Sequence, residues 1–237
     1  MRLGLPDGIT ACLFDLDGVL TSTAVLHRRA WRRTFDDYLG PRGLPPFTES
    51  DYLAYVDGRP RYDGVRAFLA SRGVTVPEGA PDDPPDADTV HGIGNRKNAL
   101  IDAIIRDEGV TPYPGTVRYL DAARGRFRIG VVTSSANATR VLDAAGLSSY
   151  VQALVDGVVI SRERLLGKPA PDSFVAGARM LGVEPAHAAV FEDALAGVRA
   201  GRAGGFGYVV GVDRVGQAEA LRENGADVVV EDLAELL

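Results

Sequence analysis

The sequence predicts an α/β fold, a doubly wound parallel sheet with an all-helical domain inserted after its first strand, and three observations predict it. Short apolar runs of strand length recur at 10–14, 128–133, 188–191, 208–212 and 226–230. Helical apolar spacing separates most of them. Between the first run and the second lies a long interval, roughly 26–108, with helical patterns and no strong strand.

The first run, Thr10-Ala11-Cys12-Leu13-Phe14, is apolar without alternation, as a strand covered on both faces must be. Cys12 is the single cysteine of the chain, so no internal disulfide forms and a buried strand thiol is its natural role. Inside the insertion, apolar residues at helical spacing predict helices over 26–39, 49–56, 62–72 and 97–107. The Pro- and Asp-rich stretch 77–86 cannot be regular structure and is expected to be an exposed loop with solvated acids. After it, helices over 115–124, 138–145, 171–181 and 217–224 alternate with the later strands. The core is thereby assigned to 1–25 and 109–237, and the helical domain to 26–108.

With 237 residues, 46% hydrophobic and 24% charged, the chain has ordinary globular composition, enough for one large domain or a core with a smaller insertion. A formal charge of −6 argues against nucleic acid and anionic membrane as partners, which both demand a surplus of Lys and Arg. The stretch from Met1 to Asp7 breaks up any apolar core before signal-peptide length, and no long uncharged apolar stretch follows. The expectation is a cytoplasmic monomer.

The strongest chemical signal is Phe14-Asp15-Leu16-Asp17-Gly18-Val19-Leu20, where a buried strand ends in two carboxylates two positions apart. Either alone is an ordinary turn former or helix cap. Alternate residues of extended chain project to one side, and Gly18 permits a sharp departure just beyond. A carboxylate nucleophile with a second carboxyl beside it as acid and base suits phosphoryl transfer. Other strand ends supply matching parts. The run 128–132 delivers Thr133-Ser134-Ser135 and then Asn137, whose hydroxyls and amide can hold phosphate oxygens. Gly167-Lys168-Pro169 presents a lysine outside any helix, since the following proline disfavours the helical region for it. Glu192-Asp193 places two hard oxygen ligands of the kind magnesium prefers at the end of the run 188–191. Taken singly, Lys168 is a surface charge and Glu192-Asp193 a helix cap. Together they make the inventory phosphoryl transfer needs: a nucleophile, a fixed cation and metal-binding acids.

Asp15-Leu16-Asp17-Gly18, Thr133, Lys168 and Glu192-Asp193 stand in an order and spacing that resembles the haloacid dehalogenase superfamily. The resemblance implies a Rossmann-like core, Mg²⁺, and an aspartyl-phosphate at Asp15. It further implies Asp17 as general acid and base with its backbone carbonyl on the metal, Asp15 and Asp193 as direct ligands, and Glu192 as support of the metal site. Thr133, Ser134 and Lys168 would grip the transferring phosphate.

An insertion straight after the first motif resembles the helical-cap subfamily, and within it the β-phosphoglucomutase family. Thr23 and His27, followed by Trp31, keep that family's spacing from Asp17. Arg61 in Gly58-Arg59-Pro60-Arg61 stands where those mutases keep an arginine for the substrate's other phosphate, and Lys97 where they keep a cap lysine facing the catalytic acid. A mutase needs such residues because it holds a sugar bisphosphate by the phosphate that is not reacting, and a guanidinium fork grips phosphate bidentately. It must also exclude water from the phosphoenzyme. One departure is Ala136, where well-known members carry a lysine for the distal phosphate; Ser135 and Asn137 remain beside it. Thr133 and Ala194 replace serines, and the Pro- and Asp-rich loop lengthens the cap. The expected partner is a small phosphorylated sugar. Three activities follow from this reading: a mutase, a phosphatase of a small sugar phosphate, or a silent sugar-phosphate binder, the last opposed by retention of both Asp15 and Asp17.

Overall fold

In a computed structural model, which describes residues 3–237, the chain divides into two compact units, one of residues 3–23 with Val110–Leu237 and one of Ala24–Gly109. Met1 and Arg2, which open the stretch read as interrupting any leader, lie outside the described residues. The strands are β1 (Ala11–Phe14), β2 (Arg128–Val132), β3 (Ala153–Val155), β4 (Ala188–Glu192), β5 (Tyr208–Val212) and β6 (Val228–Val230). The helices are α1 (Thr23–Leu39), α2 (Glu49–Asp51), α3 (Arg61–Ser71), α4 (Val90–Glu108), α5 (Pro114–Ala123), α6 (Ala138–Ala144), α7 (Gly157–Glu163), α8 (Asp172–Leu181), α9 (Leu195–Ala203) and α10 (Ala218–Glu223). Among the described residues no helix is long and apolar enough to cross a membrane.

All six strands of the first unit run parallel in the order β3-β2-β1-β4-β5-β6, so every strand C-terminus lies on one rim. Central β1 is buried at every position, because it has a strand on each side and helices over both faces. Its Phe14 ring stacks on Phe191 with centroids 4.3 Å apart and meets Tyr119 edge-on at 6.1 Å. Removing side chains of this size from water contributes roughly 1.5–3 kcal/mol each. On one side of the sheet, Leu13, Val132 and Val190 pack with Phe174 and Leu181 of α8.

Strand β3 and helix α7 have no counterpart in the sequence reading. Three residues, Ala-Leu-Val, carry no alternation, and they lack the β-branched run that marks the equally short β6, Val-Val-Val. The Asp156 side chain accepts hydrogen bonds from the Val158 and Val159 amides and so starts α7 just after β3.

The second unit has its own core, in which Trp31 and Phe35 of α1 stack at 5.1 Å and Phe35 meets Phe68 of α3 at 4.2 Å. Helix α1 starts at Thr23, not 26, and the units divide at 24 and 109 where the sequence reading had 26 and 108. The predicted helix 49–56 is α-helical only over Glu49–Asp51 and continues as a π-helical turn, Tyr52–Val56. Helix α4 begins at Val90, seven residues before the predicted start, because the Thr89 hydroxyl accepts the Gly92 N–H at 2.9 Å and nucleates it. Gly92 and Gly94 hide this turn from a propensity reading. Both glycines make room: a Cβ on Gly92 would strike Ala87, and one on Gly94 would lie 2.7 Å from the Tyr62 ring. The stretch 77–86 has no helix or strand, as expected, yet its acids are not merely solvated. Asp83 accepts the Thr89 hydroxyl at 2.5 Å, and Arg96 Nε donates to the Pro85 carbonyl at 2.7 Å, so the loop is docked on the start of α4.

Candidate active site

Register sets the first part of the site. Phe14 of β1 pairs with Val131 of β2 and Phe191 of β4, so the residues that follow emerge together at the rim. Asp15 keeps its amide on the Phe191 carbonyl at 2.9 Å, extending the ladder by one bond and fixing its backbone. Lys168, in the loop between α7 and α8, is almost wholly buried and donates to Asp15 Oδ1 and Glu192 Oε1, each at 2.6 Å, and to the Val132 carbonyl at 3.2 Å. Its three ammonium hydrogens are thereby used on three neighbouring strand ends. The other oxygen of Glu192 accepts the Ala194 N–H at 2.8 Å.

Burial pushes the Asp15 carboxyl up to about 8; Lys168 opposes this, while the charges of Glu192 and Asp17 add to it. Burial works to lower the Lys168 pKa, but the Asp15 and Glu192 carboxylates outweigh it and hold the ammonium above its ordinary value. Lys168 is therefore a permanent cation against the face of Asp15.

Asp17 is held differently. Its Oδ1 accepts the Thr23 hydroxyl at 2.5 Å and its Oδ2 the Thr133 hydroxyl at 3.2 Å. Thr23 is in turn 2.7 Å from Thr21, whose hydroxyl reaches the Leu16 carbonyl at 3.2 Å. Thr133 also accepts the Ser135 amide at 3.1 Å, and the Asn137 amide reaches the Ser135 hydroxyl at 3.3 Å, so loop 133–137 braces itself around Ser134. Gly157 completes the brace: its N–H donates to the Ser135 carbonyl at 2.9 Å, and any Cβ there would press on Ser134 O at 2.7 Å.

Asp193 follows β4 and lies against the turn at Gly18, where a Cβ would run into its carboxylate and where φ is +101°. Only glycine reconciles that backbone with that neighbour. Arg214, after β5, donates to the Gly18 carbonyl at 2.7 Å and the Val19 carbonyl at 3.4 Å, with its guanidinium 3.5 Å from the centre of the Tyr113 ring. Gln217 Nε2 holds the Asp193 carbonyl at 3.0 Å. The sequence reading passed over Thr21, Gly157, Arg214 and Gln217. The signal for Arg214 was present, a charged pair Asp213-Arg214 directly after an apolar strand, as at β1 and β4.

Among the described residues no three His, Cys, Asp or Glu side chains gather into a metal cage. Magnesium does not require one: it keeps several waters, takes one or two carboxylates, and completes its octahedron with substrate phosphate. Asp15 and Asp193, hard oxygen donors following neighbouring strands, fit that demand. Both oxygens of Glu192 are engaged, one by Lys168 and one by the Ala194 amide, a hold that suits support of the site through Lys168.

Within the helical unit, Lys97 is buried and its Nζ lies 2.7 Å from His27 Nδ1 and 5.1 Å from the centre of the Trp31 ring. The two groups share this hydrogen bond, whose direction follows the imidazole tautomer. Arg61, at the start of α3, belongs to a separate group, where its Nη2 donates to the Tyr62 hydroxyl at 2.8 Å.

The model of the haloacid dehalogenase-like hydrolase family matches residues 9–205. The β-phosphoglucomutase of Mycobacterium tuberculosis (strain CDC 1551 / Oshkosh) is 54% identical over 99% of this chain and 94% of its own length. The fructose-1-phosphate phosphatase YqaB of Escherichia coli (strain K12) is 30% identical over 83% of this chain and 93% of its own. Among solved structures, β-phosphoglucomutase from Clostridium difficile superimposes with a TM-score of 0.78 at 25% identity, covering 97% of this chain and 93% of that one.

Proposed function

The chain belongs to the haloacid dehalogenase-like hydrolases, and from that membership we propose that it is a β-phosphoglucomutase, interconverting β-glucose 1-phosphate and glucose 6-phosphate through glucose 1,6-bisphosphate. The observation that carries phosphoryl transfer is the contrast between two carboxyls two residues apart. Asp15 is buried on the Lys168 ammonium, whereas Asp17 is held by two hydroxyls. A carboxylate on a fixed cation is placed to accept a phosphoryl group; one held by rotatable hydroxyls is placed to give and take a proton.

In one half-reaction an Asp15 oxygen forms a bond to the C1 phosphorus of glucose 1,6-bisphosphate as its bond to the sugar oxygen breaks, Asp17 gives its proton to that oxygen, and glucose 6-phosphate leaves. In the other, Asp17 takes the proton from the C6 hydroxyl of an incoming β-glucose 1-phosphate, whose oxygen attacks the aspartyl-phosphate, releases Asp15 and regenerates the bisphosphate. Lys168 compensates the charge on the phosphoryl oxygens, with the hydroxyls of Thr133 and Ser134 as further donors. Asp15, Asp193 and the Asp17 carbonyl would hold Mg²⁺, which when bound supplies further charge neutralisation at the phosphate. On the substrate side the reading gives Arg61, Ser135 and Asn137 to the phosphate that is not transferred, and Thr23, His27 and Lys97 to the control of Asp17. It takes the enzyme as a cytoplasmic monomer acting on a small phosphorylated sugar.

A phosphatase is the second reading, favoured by Ala136 and by the phosphatase relative. One tube separates the two: the protein with Mg²⁺, β-glucose 1-phosphate and a trace of glucose 1,6-bisphosphate, assayed for glucose 6-phosphate and free phosphate together. The mutase reading expects glucose 6-phosphate without matching phosphate release. Phosphate alone would make the protein a phosphatase.

A further inference from the structure

Arg61 is the end of a directed chain of hydrogen bonds that starts in the Pro- and Asp-rich loop. Asn95 of α4 donates from Nδ2 to two backbone carbonyls of that loop, Pro81 at 3.1 Å and Asp83 at 2.9 Å. Carbonyls only accept, so both amide hydrogens are used and the amide has one orientation, with Oδ1 turned to Tyr62. The Tyr62 hydroxyl, with one hydrogen, donates it to Oδ1 at 2.9 Å and offers its lone pairs to Arg61 Nη2 at 2.8 Å. The same guanidinium lies 4.7 Å from the centre of the Tyr62 ring. That ring packs on His91 at 3.9 Å and fills the space that Gly94 leaves open. Arg61 Nε is buried and has no hydrogen-bond partner among the described residues, a donor left over for an acceptor that approaches the guanidinium.

We propose that Tyr62 and Asn95 are positioning residues that aim Arg61, so that the docked Pro- and Asp-rich loop sets which second phosphate the enzyme accepts. This rests on the reading of Arg61 as the residue for the phosphate that is not transferred. The loop then acts on specificity without touching substrate: its carbonyls fix an amide, the amide fixes a phenol, and the phenol fixes the plane of the guanidinium. A guanidinium held in one plane loses less freedom when it grips phosphate through two parallel bonds.

The test compares Tyr62→Phe with the unaltered enzyme on two phosphate donors, glucose 1,6-bisphosphate and acetyl phosphate, which has no second phosphate. Phenylalanine keeps the ring against His91 and Gly94 and deletes only the hydroxyl. The expected result is a KM for the bisphosphate raised about fivefold to tenfold, the scale of one ordinary hydrogen bond, with the acetyl phosphate reaction changed far less. Asn95→Asp, which puts a carboxylate against the two loop carbonyls, should give the same selective loss. Combined with Arg61→Ala, Tyr62→Phe should add nothing, since the group it aims is gone. An unchanged bisphosphate KM in both single variants, or equal losses with both donors, would overturn the proposal. Arg61→Ala alone reports on the underlying reading. If it leaves the bisphosphate KM unchanged, that reading fails; if it raises the KM while Tyr62→Phe does not, the reading stands and the aiming chain fails.

Discussion

Lys168 is the residue on which the site's electrostatics turn, since its ammonium balances Asp15 and Glu192 at once in a place closed to water. Removing one partner of such a buried group strands the rest, so Glu192→Ala should lower unfolding free energy by about 3–5 kcal/mol in urea titrations. A loss under about 1 kcal/mol would mean that Lys168 is not held as described. Asp15→Asn should abolish phosphoenzyme formation from any donor, because an amide is a poor nucleophile; labelled phosphate retained on that variant would remove Asp15 from the reaction. The Asp15 carboxyl, pushed from an ordinary 3.8 up to about 8, also fixes a sign. Between those values the folded metal-free protein keeps a proton that the unfolded chain has released. Its contribution to stability is therefore complete below about pH 4 and is lost as pH rises through about 8. On the reading that Asp15 holds Mg²⁺, the ion displaces that proton, so affinity should climb up to about tenfold per pH unit between about pH 6 and 8, with proton release seen by calorimetry in two buffers. Pairing Asp15 with Asp17 was legible in the sequence because two acids after a buried strand are unusual. The different holds on them were not, since they depend on Thr23, Thr133 and Lys168 arriving from distant parts of the chain.

At the scale of elements, the turn after β1 has the least freedom. Gly18 has a left-handed φ, Asp193 fills the place of its missing side chain, and Arg214 holds its carbonyl. Gly18→Ala should cost about 1–3 kcal/mol from the backbone alone and lower kcat for every phosphate donor by about tenfold or more, because Asp17 precedes the turn directly. Wild-type kcat with a lowered Tm would show the turn to be structural only. Long apolar strands such as β1, β2, β4 and β5 could be read from sequence, since burial on both faces dictates their composition. Strand β3 could not, because Ala-Leu-Val carries no period and lacks the β-branched run of the equally short β6. The first turns of α4 were hidden for the opposite reason: Gly92 and Gly94 serve close packing at the expense of helix propensity. The docked loop 77–86 shows the same limit, because its composition says only that it is irregular, and its role comes from carbonyls that every sequence has.

For the molecule as a whole, the sequence gives the order of parts and the structure gives what each part needs before it can stand. The helical unit is a continuous segment with its own aromatic core, whereas the other unit is assembled from pieces on either side of it. Ala11 pairs with Arg128 and with Ala188, so β1 finds its first neighbour more than a hundred residues further along and its second later still. Closing loops of that length slows pairing, and local contacts form first. In pulsed hydrogen exchange during refolding of the whole chain, amides of Ala24–Gly109 should gain protection before those of Ala11–Phe14. Simultaneous protection would mean that the units fold as one. During synthesis the same arithmetic leaves an apolar four-residue segment, with Asp15 directly after it, unpaired while more than a hundred further residues are added. The growing chain carries this unpaired apolar stretch until its neighbouring strands arrive, and Asp15 meets its buried partners only once Lys168 and Glu192 have been made.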